Sequence, residues 1–235
     1  MPTFSANLGF LWQELSLPDA IRAAKAAGFD AVECHYPYDT PPEAVRRALE
    51  ETGLPMLGLN TARGNVTAGE NGLAAIPGRE GEARRLIDQA IDYAAAIGAR
   101  NVHVMAGKAT GDEARAAFLG NLRYACERAD RVGATVLIEP LNHRDAPDYF
   151  LRTADQALDI ITAVGADNLK LMFDCYHIQI MQGDLTHRLR EHLGEIDYRH
   201  ILRFLGILGY DKPIGAEYRP ATTTDAGLTW LQAYR

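Results

Sequence analysis

Short apolar runs alternate with longer amphipathic stretches along almost the whole chain, and a glycine punctuates the passage from one to the next. "AAGFDAVE", "ETGLPMLG", "AIGARNVHV", "RVGATVLIE" and "LGYDKPIGAE" each set a Gly at the end of a helical pattern, just before an apolar run. Glycine serves there because a helix C-terminus closes most easily on a left-handed residue. The apolar runs predict strands at 3–8, 31–36, 55–60, 101–106, 135–140, 169–174 and 213–217. Helices are expected at 18–27, 42–51, 79–97, 112–132, 153–164, 184–193, 198–208 and 224–233. The chain is a series of βα units.

Such a series folds either as an open, doubly wound sheet or as a closed (β/α)8 barrel. A dinucleotide-binding open sheet carries G-x-G-x-x-G in its first βα turn, and "NLGFLWQELSLP" has nothing of that form. The expectation is therefore a single TIM-barrel domain over residues 1–235, a length that buries one good core. One fault stands out. In "REHLGEIDYRHILRF", from Arg190 to Phe204, one helix runs directly into the next, so that eight helices accompany seven strands.

A net charge of −7, with no clustered basic face, argues against nucleic acid as a partner. The three cysteines, Cys34, Cys126 and Cys175, are too scattered and too few for a disulfide framework or a zinc motif. "MPTFSANLGFLW" lacks the basic and apolar regions of a leader, and no run approaches the ~18 apolar residues of a membrane span. The expected setting is the cytoplasm, with no membrane contact.

In a barrel of this kind the chemistry sits where the strands end and the βα loops gather. "TVLIEPLN" ends in Glu139, "LKLMFDCYH" in Asp174 and "PIGAEYRP" in Glu217, so three strands deliver a carboxylate to that level. Period-2 alternation groups Glu139 with Leu137 and Thr135, Asp174 with Met172, and Glu217 with Gly215. Val136, Ile138, Leu171, Phe173, Ile214 and Ala216 are left to face the helices. Three acids gathered out of water repel one another unless a cation compensates. All-oxygen donors favour Mg²⁺ or Mn²⁺ over zinc.

"FSANLGFLW", "NTARGNVTAGENGLAAIPGRE", "HVMAGK", "IEPLNHRDAPDYFL", "LKLMFDCYHIQIMQGDL" and "GAEYRPATTTDAGLTW" together resemble the hydroxypyruvate isomerase family of the xylose isomerase-like sugar isomerases and epimerases. The resemblance runs through essentially the whole chain. It implies a TIM barrel whose divalent metal is held by Glu139, Asp174 and Glu217, with a further ligand from a seventh strand that has no counterpart here. It also implies that Glu139 and Glu217 act as proton donor and acceptor, and that His177 gives a hydrogen bond to a substrate oxygen. Exchanging a ketone and an alcohol on adjacent carbons moves a proton off one carbon and returns one to its neighbour, so two flanking carboxylates suit the reaction.

Lys108 in "MAGK" and Arg219 in "EYRP" are the candidates for holding the substrate carboxylate, though each taken alone reads better as a solvated or salt-bridged side chain. His103 reads as a satisfied core or lower-layer histidine rather than a ligand, and His143 as a neighbour of the site at most. "TTTDAG" reads as the cap of the last helix. The stretch 60–79 is too long for an ordinary βα connection and suggests a lid or a packing arm over the mouth, where Arg63, Asn65 and Glu70 could meet a substrate, or else a contact between subunits of a homo-oligomer.

The expected function is thus a metal-dependent isomerase of a short hydroxy-carbonyl acid, interconverting hydroxypyruvate and tartronate semialdehyde. Rivals within the same fold are isomerases of other keto-acids such as 2-oxotetronates, epimerases of ketoses and dehydratases of cyclic polyols. A barrel that binds a sugar acid without turning it over is the non-enzymatic alternative. An endonuclease is disfavoured, since it would need more metal-binding histidines and a basic groove. "GEIDYRHIL" looks like the family's segment after its seventh strand, so the fault is expected near Leu193 and Gly194, where roughly 15 to 20 residues of strand and loop are lacking.

Overall fold

Strand and helix alternate as β1 (Phe4–Asn7), α1 (Leu17–Ala27), β2 (Ala31–Glu33), α2 (Pro42–Thr52), β3 (Gly58–Asn60), α3 (Glu80–Ile97), β4 (Asn101–His103), α4 (Gly111–Asp130), β5 (Thr135–Ile138), α5 (Ala154–Val164), β6 (Leu169–Leu171), α6 (Cys175–Met181) and β7 (Ile214–Ala216). This is a computed structural model, and it describes residues 3–183, 213–228 and 230–231. Capping side chains set the helix starts. Ser16 Oγ accepts the Asp19 amide ahead of α1, and Thr153 Oγ1 accepts the Gln156 amide ahead of α5. Gly28, Gly53 and Gly165 close α1, α2 and α5 in the left-handed conformation. The expected helices 184–193 and 198–208, and the fault at Leu193 and Gly194, lie outside the described residues. No helix among the described residues is long and apolar enough to cross a membrane.

The chain divides into two compact units, Met1–Gly58 with Ala96–Gly98 and the described part of Asp184–Arg235, and Leu59–Ala95 with Ala99–Gly183. In the first unit β1 lies between β2 and β7 in a parallel sheet, with Ala6 opposite both Val32 and Ala216. The strand expected from residue 55 is regular only from Gly58, yet its lead-in already pairs with β2. The Val32 amide donates to Pro55, the Leu57 amide to Val32 and the Cys34 amide to Gly58. Trp12 takes a positive φ of 50°, held there by its amide on Thr224 Oγ1 and its indole on Asp225 Oδ1. Of the last expected helix, the described residues show a 3-10 turn at Asp225–Leu228 and helical Trp230 and Leu231.

In the second unit the parallel order is β3-β4-β5-β6. Val136 and Ile138 on β5 are fully buried, as are Val102 of β4 and Leu169 of β6, together with Ile91 of α3 and Phe118 and Leu122 of α4. Each such side chain contributes about 1.5–3 kcal/mol of burial. Leu171 and Phe173, expected to face the helices, are only half-buried. Among the described residues β6 pairs with β5 alone, so its outer side lacks a covering strand.

The long segment after β3 is fastened to the strand beside it. The Gly72 amide donates to Arg63, the Ala74 amide to Met105 and the Ala75 amide to Ala106, while Asn121 Nδ2 donates to the Ala74 carbonyl. Gly72 and Gly107 allow this approach, both at positive φ (103° and 94°), because a side-chain carbon on Gly107 would run into the Gly72 carbonyl. Glu70 accepts the Asn65 amide at 2.6 Å and pairs with Arg79, which also reaches Glu82. These bonds make the segment a built wall of the second unit.

Candidate active site

β5 carries Glu139 to its end with the expected alternation, since Thr135 and Leu137 are half-exposed where Val136 and Ile138 are buried. Glu139 itself is only 8% exposed, and His103 Nδ1 from β4 stands 3.7 Å from its Oε2. Beyond β6 the chain keeps its place beside β5 through the Met172 amide on Ile138, which brings Asp174 to the same level. There the strand turns straight into α6. Asp174 is the cap of that helix, its Oδ1 accepting the amides of Tyr176 at 2.6 Å and His177 at 3.3 Å.

Capping by Asp174 places His177 one turn into α6, with Nε2 3.8 Å from Asp174 Oδ2. One donor atom from each of Glu139, Asp174 and His177 lies within 4.8 Å of the other two, an arrangement that could hold a metal ion. The donor set fits a hard cation. Two carboxylates this close, each largely withdrawn from water, repel one another in the absence of positive charge. Asp174 Oδ1 is spent on the cap, and Oδ2 is the atom turned toward the cluster.

Burial lowers the pKa of His177, against the pull of the charges on Asp174 and Asp145. Burial also pushes the thiol of Cys175, next to Asp174, up to about 11, and the Asp174 charge adds to it. A thiol held so high carries little thiolate near neutral pH.

Glu217 comes after β7 in the first unit and is exposed, as is Arg219, whose guanidinium lies 5.9 Å above the Phe10 ring. Glu33 occupies the space that the missing side chain of Gly215 leaves, since a carbon there would stand 2.8 Å from Glu33 Oε1. Lys108, in the second unit, is exposed, and its Nζ lies over Gly69 of the long segment. Of the expected site residues, then, the second unit brings Glu139, Asp174 and His177 together. His103 is buried as expected, and closer to Glu139 than a lower-layer histidine would be. His143 is exposed against Met181.

Sequence reasoning gave no role to Asn142, Asp145 or Tyr176, which surround His177. Asn142 is fully buried, donates from its backbone amide to His177 Nδ1 at 3.1 Å, and has Nδ2 2.7 Å from the same atom. Asp145 Oδ2 accepts from Asn142 Nδ2 and from the Tyr176 hydroxyl. The available signal was "NHRD", because Asn followed by polar residues commonly folds its side chain onto the amides two and three positions on.

Residues 21–192 match the family described as xylose isomerase-like TIM barrel. The chain belongs to that family. Its fold is accordingly the (β/α)8 barrel, and it aligns over 100% of both chains, at 35% identity and a TM-score of 0.93, with a crystal structure titled AP endonuclease, family 2, from Brucella melitensis. A 2-oxo-tetronate isomerase of Cupriavidus necator is 42% identical over 257 positions, covering 100% of this chain and 99% of the relative. A hydroxypyruvate isomerase of Escherichia coli is 36% identical over 258 positions, covering 100% of both. The protein is an enzyme of the isomerase class. Because 257 aligned positions exceed the 235 residues of this chain, at least 22 positions of the first relative have no counterpart here. The strand and loop expected to be lacking near Leu193 and Gly194 would be of about that size.

Proposed function

We propose that this xylose isomerase-like barrel is a divalent-metal-dependent sugar-acid isomerase that interconverts hydroxypyruvate and tartronate semialdehyde. The observation that carries the reading is the convergence of Glu139, Asp174 and His177 at the ends of β5 and β6. Mg²⁺ or Mn²⁺ suits the carboxylate donors. Such a cation supplies positive charge that acidifies the carbon beside a carbonyl and offsets the charge developing on the substrate oxygens.

The protein's own groups do the rest. One carboxylate takes a proton from the hydroxymethyl carbon of hydroxypyruvate, giving an enediolate. A second carboxylic acid returns a proton to the former carbonyl carbon, and the hydroxyl proton passes between the two oxygens. Glu139, nearly buried and 3.7 Å from His103, is one of the two in this reading. Glu217 takes the other role, which the family resemblance gives it, and completes the metal ligands with Glu139 and Asp174. His177 donates to a substrate oxygen, and Lys108 and Arg219 are the candidates for its carboxylate. The substrate is a small hydroxy-carbonyl acid, and no nucleic acid or membrane takes part, in keeping with the charge of −7.

The 42% identity to a 2-oxo-tetronate isomerase supports a second reading, in which the substrate is one carbon longer. Both are tested by incubating chelator-treated protein in heavy water with hydroxypyruvate, and separately with a 2-oxotetronate, with and without added Mn²⁺. Isomerisation with deuterium incorporation is expected for hydroxypyruvate, restored by Mn²⁺. Turnover of the 2-oxotetronate alone would select the second reading, and exchange with neither would overturn both.

A further inference from the structure

The cluster of Glu139, Asp174 and His177 has the look of a three-ligand metal site, but the hydrogen bonds behind His177 divide it differently. A neutral imidazole has one donor nitrogen and one acceptor nitrogen, and its neighbours decide which is which. His177 Nδ1 faces two groups of Asn142, the backbone N–H at 3.1 Å and the side-chain Nδ2 at 2.7 Å. The backbone group can only donate.

The side-chain amide is oriented just as firmly. Asn142 Oδ1 accepts the amides of Arg144 at 2.9 Å and Asp145 at 3.0 Å, so the NH₂ end is the one that faces His177 and the Asp145 carboxylate, 2.9 Å from Oδ2. With the orientation reversed, two backbone donors would meet an NH₂ group and one carboxylate oxygen would meet a carbonyl. Asn142 is fully buried, so no bulk water relaxes this arrangement. Two donors converging on Nδ1 require its lone pair, and the ring proton must then sit on Nε2. That nitrogen is the one 3.8 Å from Asp174 Oδ2.

We propose that Asn142 is a positioning residue that holds His177 as the Nε2–H tautomer, so that the ring enters the site as a hydrogen-bond donor and cannot be a metal ligand. A ligating Nε2 needs its own lone pair, which would put the proton on Nδ1 against both Asn142 donors. Within the second unit the cluster therefore holds two candidate ligands, Glu139 and Asp174, and one donor aimed at an oxygen beside them. His177 is no replacement for the ligand that the family's seventh strand would bring. The inference rests on the proposed isomerase only in making that oxygen the substrate's; the tautomer itself stands on the hydrogen bonds.

The test is nitrogen-15 NMR of the full-length labelled protein, the His177 signals being assigned by their absence in His177→Gln. Expected are a protonated, pyrrole-type Nε2 and a bare, pyridine-type Nδ1, unchanged when Mg²⁺ is added. A proton on Nδ1 in either state, or its transfer there on Mg²⁺ binding, would overturn the proposal. Asn142→Asp puts an acceptor against Nδ1 and is expected to bring a proton to that nitrogen; retention of the Nε2–H form alone would remove Asn142 from the role. The wild-type spectra decide the tautomer whether or not that variant folds. His177→Ala should leave Mg²⁺ affinity within a few-fold, whereas a loss of about tenfold or more, as expected for a ligand, would contradict the donor role. Failure of isomerisation with the Nε2–H form present would sink the proposed function and leave this inference standing.

Discussion

Glu139 and Asp174 end adjacent strands of one sheet and are withdrawn from water, whereas Glu217, which the same alternation places at the end of β7, is exposed. The turns of chain that follow the three strands differ as well. After β6 the chain starts a helix at once, and Asp174 becomes its cap. After β5, Asn142 folds back on Arg144 and Asp145 and meets His177. After β7 the described chain runs on through Tyr218, whose hydroxyl donates to the Gly227 carbonyl, and Arg219 lies over Phe10.

The sharpest way to break this contrast is to neutralise each glutamate. Glu139→Gln should lower kcat by about 10²- to 10⁴-fold, the usual worth of a positioned acid or base, with the circular dichroism spectrum unchanged. Glu217→Gln should lose as much if the two act as a pair. Near-wild-type turnover in Glu217→Gln would confine the proton transfers to the cluster on β5 and α6.

Asp174 carries two duties that substitution separates. Asparagine caps a helix about as well as aspartate, so Asp174→Asn should keep the melting temperature while weakening Mn²⁺ binding by about tenfold or more. Asp174→Ala should in addition cost about 1 kcal/mol of stability from the lost cap. Equal metal binding by wild type and Asp174→Asn would reduce Asp174 to a cap.

Lys108 and Arg219 are the two residues proposed for the substrate carboxylate. Removing the residue that pairs with it should raise KM about tenfold, with kcat less affected, while the other substitution changes little. No change in KM for either would leave the carboxylate to other donors.

The smallest effect concerns the long segment. The Arg79 hydrogen bond, and then the Asn65 amide, hold the Glu70 carboxyl below its ordinary 4.5. A carboxylate with a lowered folded pKa stabilises fully above its unfolded value and loses that contribution as pH falls through the folded one. The Asn65 amide shift should therefore titrate with a midpoint below 4.5 and cease to do so in Glu70→Gln. A midpoint at 4.5 or above would show the segment to be less firmly built.

All seven expected strands are found, because glycine-closed helices and buried β-branched runs are local signals. α6 was hidden: Cys-Tyr-His-Ile-Gln-Ile-Met is a poor helix sequence by propensity and only seven residues long, and its main cue is the cap at Asp174. The length of the long segment was legible, as a lid, a packing arm or a subunit contact, but its anchoring was not, because that depends on Gly72 and Gly107 meeting from 35 positions apart. The carboxylates were legible one strand at a time. Their partners His103 and Asn142 come from pairing and folding back, which no periodicity reports.

A metal site at this cluster is tested most directly by titrating Mn²⁺ into chelator-treated, labelled protein and recording NMR spectra. Binding at Glu139 and Asp174 should broaden the His177 ring signals selectively at substoichiometric Mn²⁺, and Asp174→Asn should shift that broadening to about tenfold higher Mn²⁺ or more. Sharp His177 signals at one equivalent of bound Mn²⁺, or the same Mn²⁺ dependence of broadening in Asp174→Asn as in wild type, would contradict a metal site there.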